Sequence, residues 1–120
     1  MPSKRWQRLK KRTDLQNVQK QGQALKLPAL VFLYAPGRTD ENRLGFTATR
    51  RTVGNAVQRN RAKRRMRALA QAVLEKASPQ TGRPTDAVMV ARRYIETRDF
   101  AKMTQELEQA LKQEGFTFES

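Results

Sequence analysis

Arg50-Arg51-Thr52-Val53-Gly54-Asn55-Ala56-Val57-Gln58-Arg59-Asn60-Arg61-Ala62-Lys63-Arg64-Arg65-Met66-Arg67 is the stretch on which the reading of this chain turns. It holds eight basic residues in eighteen and no acid. Gly54-Asn55 is a turn signal, and the residues after it carry a helical apolar repeat. At 100° per residue Ala62, Met66, Leu69, Ala70 and Val73 fall on one face, which predicts a helix running to about Ala77. Arg61, Lys63, Arg64, Arg65 and Arg67 lie outside that face, and Arg59 lies towards its edge. At 1.5 Å per residue such a helix is roughly 30 Å long, enough to follow several phosphates. A helix basic on most of its circumference and apolar on the rest suits a domain that lies against a polyanion.

The charge is unevenly spread along the 120 residues. Residues 1–67 carry 18 Lys/Arg against Asp14, Asp40 and Glu41, a net of +15, whereas residues 68–120 carry 7 basic and 8 acidic residues. A split of this size marks an interaction surface more than a solubility device. A membrane surface would need a wide apolar face with anchoring aromatics, which the basic segment lacks. The longest apolar run, 27–35, is too short to span a bilayer. Cysteine and histidine are absent. This excludes a disulfide framework and thiolate zinc sites, fits a reducing cytoplasm, and removes the commonest general base. Met1 to Arg12 is basic but has no apolar core, so a secretory signal is not expected.

Outward from the basic helix, the pattern predicts one α+β domain over residues 1–120, with a basic arm over about 1–12. Thr13-Asp14-Leu15-Gln16 has the form of a capping box, and Gly22 that of a stop, which predicts a short helix near 14–21. Leu30 to Tyr34 and Leu44 to Thr49 read as strands, joined by the turn-rich 36–42 segment as in an antiparallel hairpin. In the second strand Leu44, Phe46 and Ala48 share one face, and Gly45, Thr47 and Thr49 the other. Ser78-Pro79 stops the basic helix. The apolar run 87–91 suits an interior strand over Asp86–Arg92. A last helix over about 99–114 places Phe100, Met103, Leu107, Ala110 and Leu111 on one stripe and ends at Gly115. The whole is a small αβ sandwich with helices packed on a mixed central sheet.

Gly45-Phe46-Thr47, followed through two basic residues by Val53-Gly54-Asn55-Ala56-Val57-Gln58-Arg59-Asn60-Arg61-Ala62-Lys63-Arg64-Arg65, closely resembles the signature of the bacterial ribonuclease P protein subunit. Arg8-Leu9-Lys10-Lys11 and the 86–92 strand extend the likeness over most of the chain. Thr52 stands as one extra residue before Val53-Gly54. The resemblance implies a left-handed strand–helix–strand crossover, against the usual right-handed form. It implies a partner, a large catalytic RNA, and a joint activity, endonucleolytic removal of the 5′ leader from precursor tRNA. The RNA would supply the active site and, with the substrate, hold the Mg2+ ions; the protein alone is expected to be inactive. No small-molecule substrate and no membrane are implied, and the setting is cytoplasmic. A structural RNA-binding protein, such as a ribosomal protein, is the alternative.

Carried onto this chain, the RNA-binding residues are Arg50, Arg51, Arg59, Asn60, Arg61, Lys63, Arg64, Arg65 and Arg67. Arginine matches phosphate oxygens bidentately, and Asn60 offers a donor and an acceptor to a base edge or a 2′-OH. Asn60 equally suits a local cap, and Arg59 an ion pair within its own domain. The resemblance also implies a cleft for the leader between the first helix and the sheet. It maps to Leu15, Val18 and Gln19 on the helix and to Phe32 and Tyr34, near Leu30, on the sheet. The relatives often carry aromatics where Leu15 and Gln19 stand here, so any stacking would fall to Phe32 or Tyr34, on a side of the strand that equally suits the core. Trp6, among Arg5 and Arg8, suits either RNA stacking or the edge of the core. No carboxylate pair is placed for catalysis: Asp40 and Glu41 adjoin in a turn, and Glu106 and Glu108 face different ways on a helix.

Overall fold

A computed structural model describes residues 6–79 and 83–119. Along them run β1 (Gln7–Arg8), α1 (Arg12–Gln21), β2 (Gln23–Lys26), β3 (Leu30–Pro36), β4 (Arg43–Thr47) and α2 (Ala56–Val73). A 3-10 turn at Leu74–Lys76 leads to β5 (Ala77–Ser78), then β6 (Thr85–Ala91), a second 3-10 turn at Arg93–Glu96, α3 (Phe100–Gln113) and β7 (Thr117–Phe118). The main sheet has the order β1-β4-β6-β3-β2, and β5 and β7 form a separate antiparallel pair.

The central place belongs to β6. Six of its seven residues are buried, as the unbroken apolar run requires of a strand covered on both faces. It pairs antiparallel with β3, from Leu30 opposite Ala91 to Pro36 opposite Thr85. It pairs parallel with β4, from Arg43 opposite Asp86 to Thr47 opposite Val90. The expected hairpin between β3 and β4 is therefore absent, because β6 lies between them. The 37–42 connection spans its width instead. The Gly37 amide donates to the Pro84 carbonyl at 2.8 Å, and Asn42 Oδ1 accepts from the Thr85 amide at 2.9 Å. The parallel unit β4–α2–β6 is the strand–helix–strand crossover.

The sheet carries different cargo on its two faces. Leu44, Phe46, Ala87, Met89, Ala91, Leu30, Phe32 and Tyr34 join the main core with Met66, Leu69 and Val73 of α2 and Met103, Leu107 and Leu111 of α3. On the opposite face Val88 packs with Leu9 and Val18, flanked by Leu15, Leu33 and Val90, under α1. Arg43 ties that layer down. Its Nε and Nη2 donate to the two carboxylate oxygens of Asp86 at 2.9 and 2.8 Å, and its Nη1 donates to Asp14 of α1 at 3.2 Å. Asp86 is fully buried, and its bidentate bond pushes the Arg43 pKa further up.

The starts of α1 and α2 differ from one another. At α2 Asn55 Oδ1 accepts from the Gln58 amide at 3.0 Å, and Gln58 Oε1 accepts from the Asn55 amide at 2.9 Å. This reciprocal box satisfies two donors at the helix start. Gly54 precedes it at φ +127°, where a side chain would be strained and would run into Gln58. At α1 the expected capping box does not form. The N-cap is Lys11, without a side-chain bond, and Thr13 lies inside the helix. Asp14 is drawn to Arg43, and the ion pair fixes where the helix sits. Gly22 ends α1 in extended geometry, φ −79°. Glycine is needed there for closeness: a Cβ would collide with the Val18 carbonyl and sit 2.9 Å from that of Tyr34.

Of the expected basic arm, residues 1–5 lie outside the described residues. From Trp6 onward the segment is packed: Trp6 and Leu9 are buried, and β1 adds to the sheet edge beside β4. Trp6 Nε1 donates to the Leu74 carbonyl at 3.0 Å, so its indole closes the core edge.

Candidate nucleic-acid interface

Ala62, Met66, Leu69 and Val73 bury one face of α2, as their spacing predicts, while Ala70 is half-buried. On the opposite side Val57, Asn60, Arg61, Arg64 and Arg67 fall within an arc of about 120°, and all five are exposed. Among the described residues the side chains of Asn60, Arg61, Arg64 and Arg67 have no hydrogen-bond or ion-pair partner. Asn60 is therefore not a cap; Asn55 holds that position. Lys63 flanks the ridge, half-buried. Arg50 and Arg51 stand exposed on the turn that leads into α2. The turn is closed by the Val53 amide on the Thr49 carbonyl at 2.9 Å, and the extra residue Thr52 is absorbed in it, its amide on Thr49 Oγ1 at 3.2 Å. Unpaired arginines at one-turn spacing present their donors outward, ready for phosphate.

Two of the nine expected RNA contacts are engaged internally. Arg59 is half-buried and donates from Nη1 to the Gly54 carbonyl at 2.9 Å, which braces the turn rather than pairing with an acid. Arg65 donates from Nη1 to the Glu96 carbonyl at 2.9 Å and from Nη2 to the Arg98 carbonyl at 2.7 Å. Those bonds strap α2 to the turn before α3. Both lie on the flanks of the helix, where periodicity alone cannot tell solvent from a neighbouring loop.

The expected leader cleft divides between two faces of the sheet. Leu15 is half-buried over Gly45, Val18 is wholly buried, and Gln19 is exposed. Phe32 and Tyr34 are not opposite them. Phe32 is fully buried in the main core, 6.3 Å from the Phe116 ring, and Tyr34 packs edge-on to Phe116 at 5.5 Å. The Tyr34 hydroxyl is 2.6 Å from Glu114. Burial first, then the bond to Glu114 and its charge, push the phenol up to about 12. The correction follows from strand parity: α1 lies on the side of Leu33, and side chains of 32 and 34 point the other way. By register the α1 side presents Leu33 beside Val88 and Val31 beside Val90, with Thr47 next to Val90. Val31, Leu33, Thr47 and Val90 are half-buried. Sequence reasoning passed over this strip. Its signal was the small, polar Gly45–Thr47 side of β4, which a fully packed face would not carry.

A ridge of free arginines on a small mixed-sheet domain defines a class, the compact polyanion-binding proteins. A sequence profile of the ribonuclease P family matches residues 3–115. The ribonuclease P protein component of Gluconacetobacter diazotrophicus is 41% identical over 110 residues, covering 90% of each chain. That of Caulobacter vibrioides is 41% identical over 115 residues, covering 89% of this chain and 70% of its own. The structure of the Staphylococcus aureus RNase P protein superposes with a TM-score of 0.68 at 26% identity, covering 88% of this chain and 92% of that one. The Thermotoga maritima RNase P protein gives 0.66 at 26%, covering 89% and 96%. The chain belongs to the ribonuclease P protein component family, the protein subunit of an endoribonuclease, and its partner is an RNA. The comparisons do not favour a structural ribosomal protein. Among the described residues no helix is long and apolar enough to cross a membrane.

Proposed function

We propose that the exposed ridge of α2, with Arg50 and Arg51, binds the catalytic RNA of ribonuclease P in the cytoplasm, and that the α1 side of the sheet takes the 5′ leader of precursor tRNA. The observation that carries this is the ridge itself, Arg61, Arg64 and Arg67 exposed and unpaired among the described residues beside Asn60. Leu15 and Gln19 belong to the leader face with Val31, Leu33 and Val90 in place of Phe32 and Tyr34, while Val18 lies wholly buried beneath α1. Among the described residues no three of His, Cys, Asp and Glu converge where they could hold a metal ion. Mg2+ enters as an ion held by the RNA and its substrate, and the protein contributes by offsetting phosphate repulsion.

The test is cleavage of precursor tRNA by the RNA alone, the protein alone and the two together. The pair is expected to process the 5′ end fastest relative to RNA alone at low salt and low Mg2+. Cleavage by highly purified protein without RNA would overturn the assignment of chemistry to the RNA.

A further inference from the structure

On the main-core side of the sheet, away from α1, lies a groove that meets the ridge only at Arg67 and does not touch the leader face. It runs between the N-terminal segment, β4 and the second half of α2, with a volume of about 430 Å3, in the range of small-ligand sites. Its walls are Trp6, Phe46, Ala70 and Leu74, and its rim carries Arg8, Lys10 and Arg67. The three cations are exposed and have no ion-pair partner among the described residues. The groove stays open because β1 is short. It pairs only with Arg43 and Leu44, leaving Gly45–Thr47 as free edge beside half-buried Phe46. Glu75 is the one carboxylate of the lining, beside the amides of Gln7 and Gln71.

An apolar slot with an aromatic wall, a cationic rim and one carboxylate fits the chemistry of a nucleotide. Bases stack on aromatic faces, backbone phosphates take the cations, and a carboxylate accepts from an exocyclic amine. Inside a duplex the base faces are covered by stacking, so an internal pair cannot enter. We infer that this groove receives an unpaired, amine-bearing nucleotide of an RNA, its base against Phe46 and its phosphates at Arg8 and Arg67. The inference rests on the partner being RNA, but on a surface that shares only Arg67 with the α2 ridge.

Trp6 is the one tryptophan in the chain and lines the groove, so its emission reports occupancy there and not at the α1 face. The full-length protein would be titrated at low salt with hexa-adenylate and, separately, with an RNA duplex of equal phosphate number. Hexa-adenylate is expected to change Trp6 emission saturably, whereas the duplex, followed by anisotropy, binds and leaves it unchanged. Phe46→Leu should shift the hexa-adenylate midpoint about five-fold or more, as the loss of one stacked base predicts. Ala70→Leu fills the groove from the helix surface with a good helix former and should do the same, which keeps the test open if Phe46→Leu folds poorly. Duplex affinity and its salt dependence should be unchanged in both. Midpoints equal to wild type in folded variants, or equal Trp6 responses to the two RNAs, would overturn the groove. Duplex binding with a Trp6 that stays silent to hexa-adenylate sinks the groove alone, while failure of both RNAs to bind sinks the RNA partner with it.

Discussion

At the scale of single residues, Arg61 and Arg65 look alike in sequence and differ in what they touch. Arg61 is exposed and unpaired among the described residues, so Arg61→Ala should lower the slope of log K for the catalytic RNA against log salt by about one unit with little change in stability. Arg65→Ala removes two bonds to backbone carbonyls and should cost about 1–3 kcal/mol in chemical denaturation. A matched pair of salt titrations and denaturation curves separates the roles. The site was legible to this depth: spacing identified the exposed arc, but only the 93–98 backbone, far along the chain, decides which flank is occupied. Tyr34 offers a second check. Its pKa is raised from 10.0 to about 12, so the neutral phenol is the form the fold prefers. Its stabilising contribution is complete below the unfolded value near 10 and is lost as pH rises towards 12. Tyr34→Phe should abolish the tyrosinate absorbance step near pH 12. A step that persists in the variant would place that titration elsewhere.

Among the elements, α2, α3, β3, β4 and β6 were readable because each has a strong apolar period and clear stop signals. Their pairing was not. A turn-rich link of six residues is as good a hairpin loop as a bridge over a third strand, and only the arrival of β6 between β3 and β4 settles it. β2 went unseen because Gln23–Lys26 is an edge with one half-buried residue, Leu25, and no alternation to detect. Phe32 and Tyr34 were misplaced for a separate reason: one strand cannot say which of its faces a given helix will cover. For α1 the consequence is testable. Gln19→Phe puts an aromatic on its exposed side, beside an otherwise aliphatic strip. It should tighten precursor tRNA with a five-nucleotide leader (on the order of one cleft length for an extended strand) by up to about 1–3 kcal/mol, leaving leaderless tRNA unchanged. Equal gains on both substrates would show that α1 does not meet the leader. Gly22→Ala, by contrast, should destabilise the fold, because the added methyl meets the Val18 and Tyr34 carbonyls; thermal unfolding reads it directly.

For the whole molecule, one buried cluster holds the two layers in register. Asp86 is wholly buried in the central strand, Arg43 comes from β4 and Asp14 from α1. Asp86→Asn leaves Arg43 poorly compensated and should cost about 3–5 kcal/mol in denaturation, loosening α1 over the sheet with it. The charge divides the chain into a basic half, to which we assign the RNA contacts, and a near-neutral half, but the division is not spatial in the simple sense. The near-neutral half supplies β6, the strand between β3 and β4. Synthesis proceeds from the N-terminus, so the charged helix leaves the ribosome before the strand that unites the sheet exists. Until residues 85–91 emerge, β4 with β1 and β3 with β2 are two unjoined ribbons, each with edges ready to pair elsewhere. Shortening the chain from its C-terminus is consequently not a graded loss. A nascent or prematurely terminated chain ending near residue 84 is a cationic, adhesive intermediate, and the cell has reason to finish or destroy it quickly.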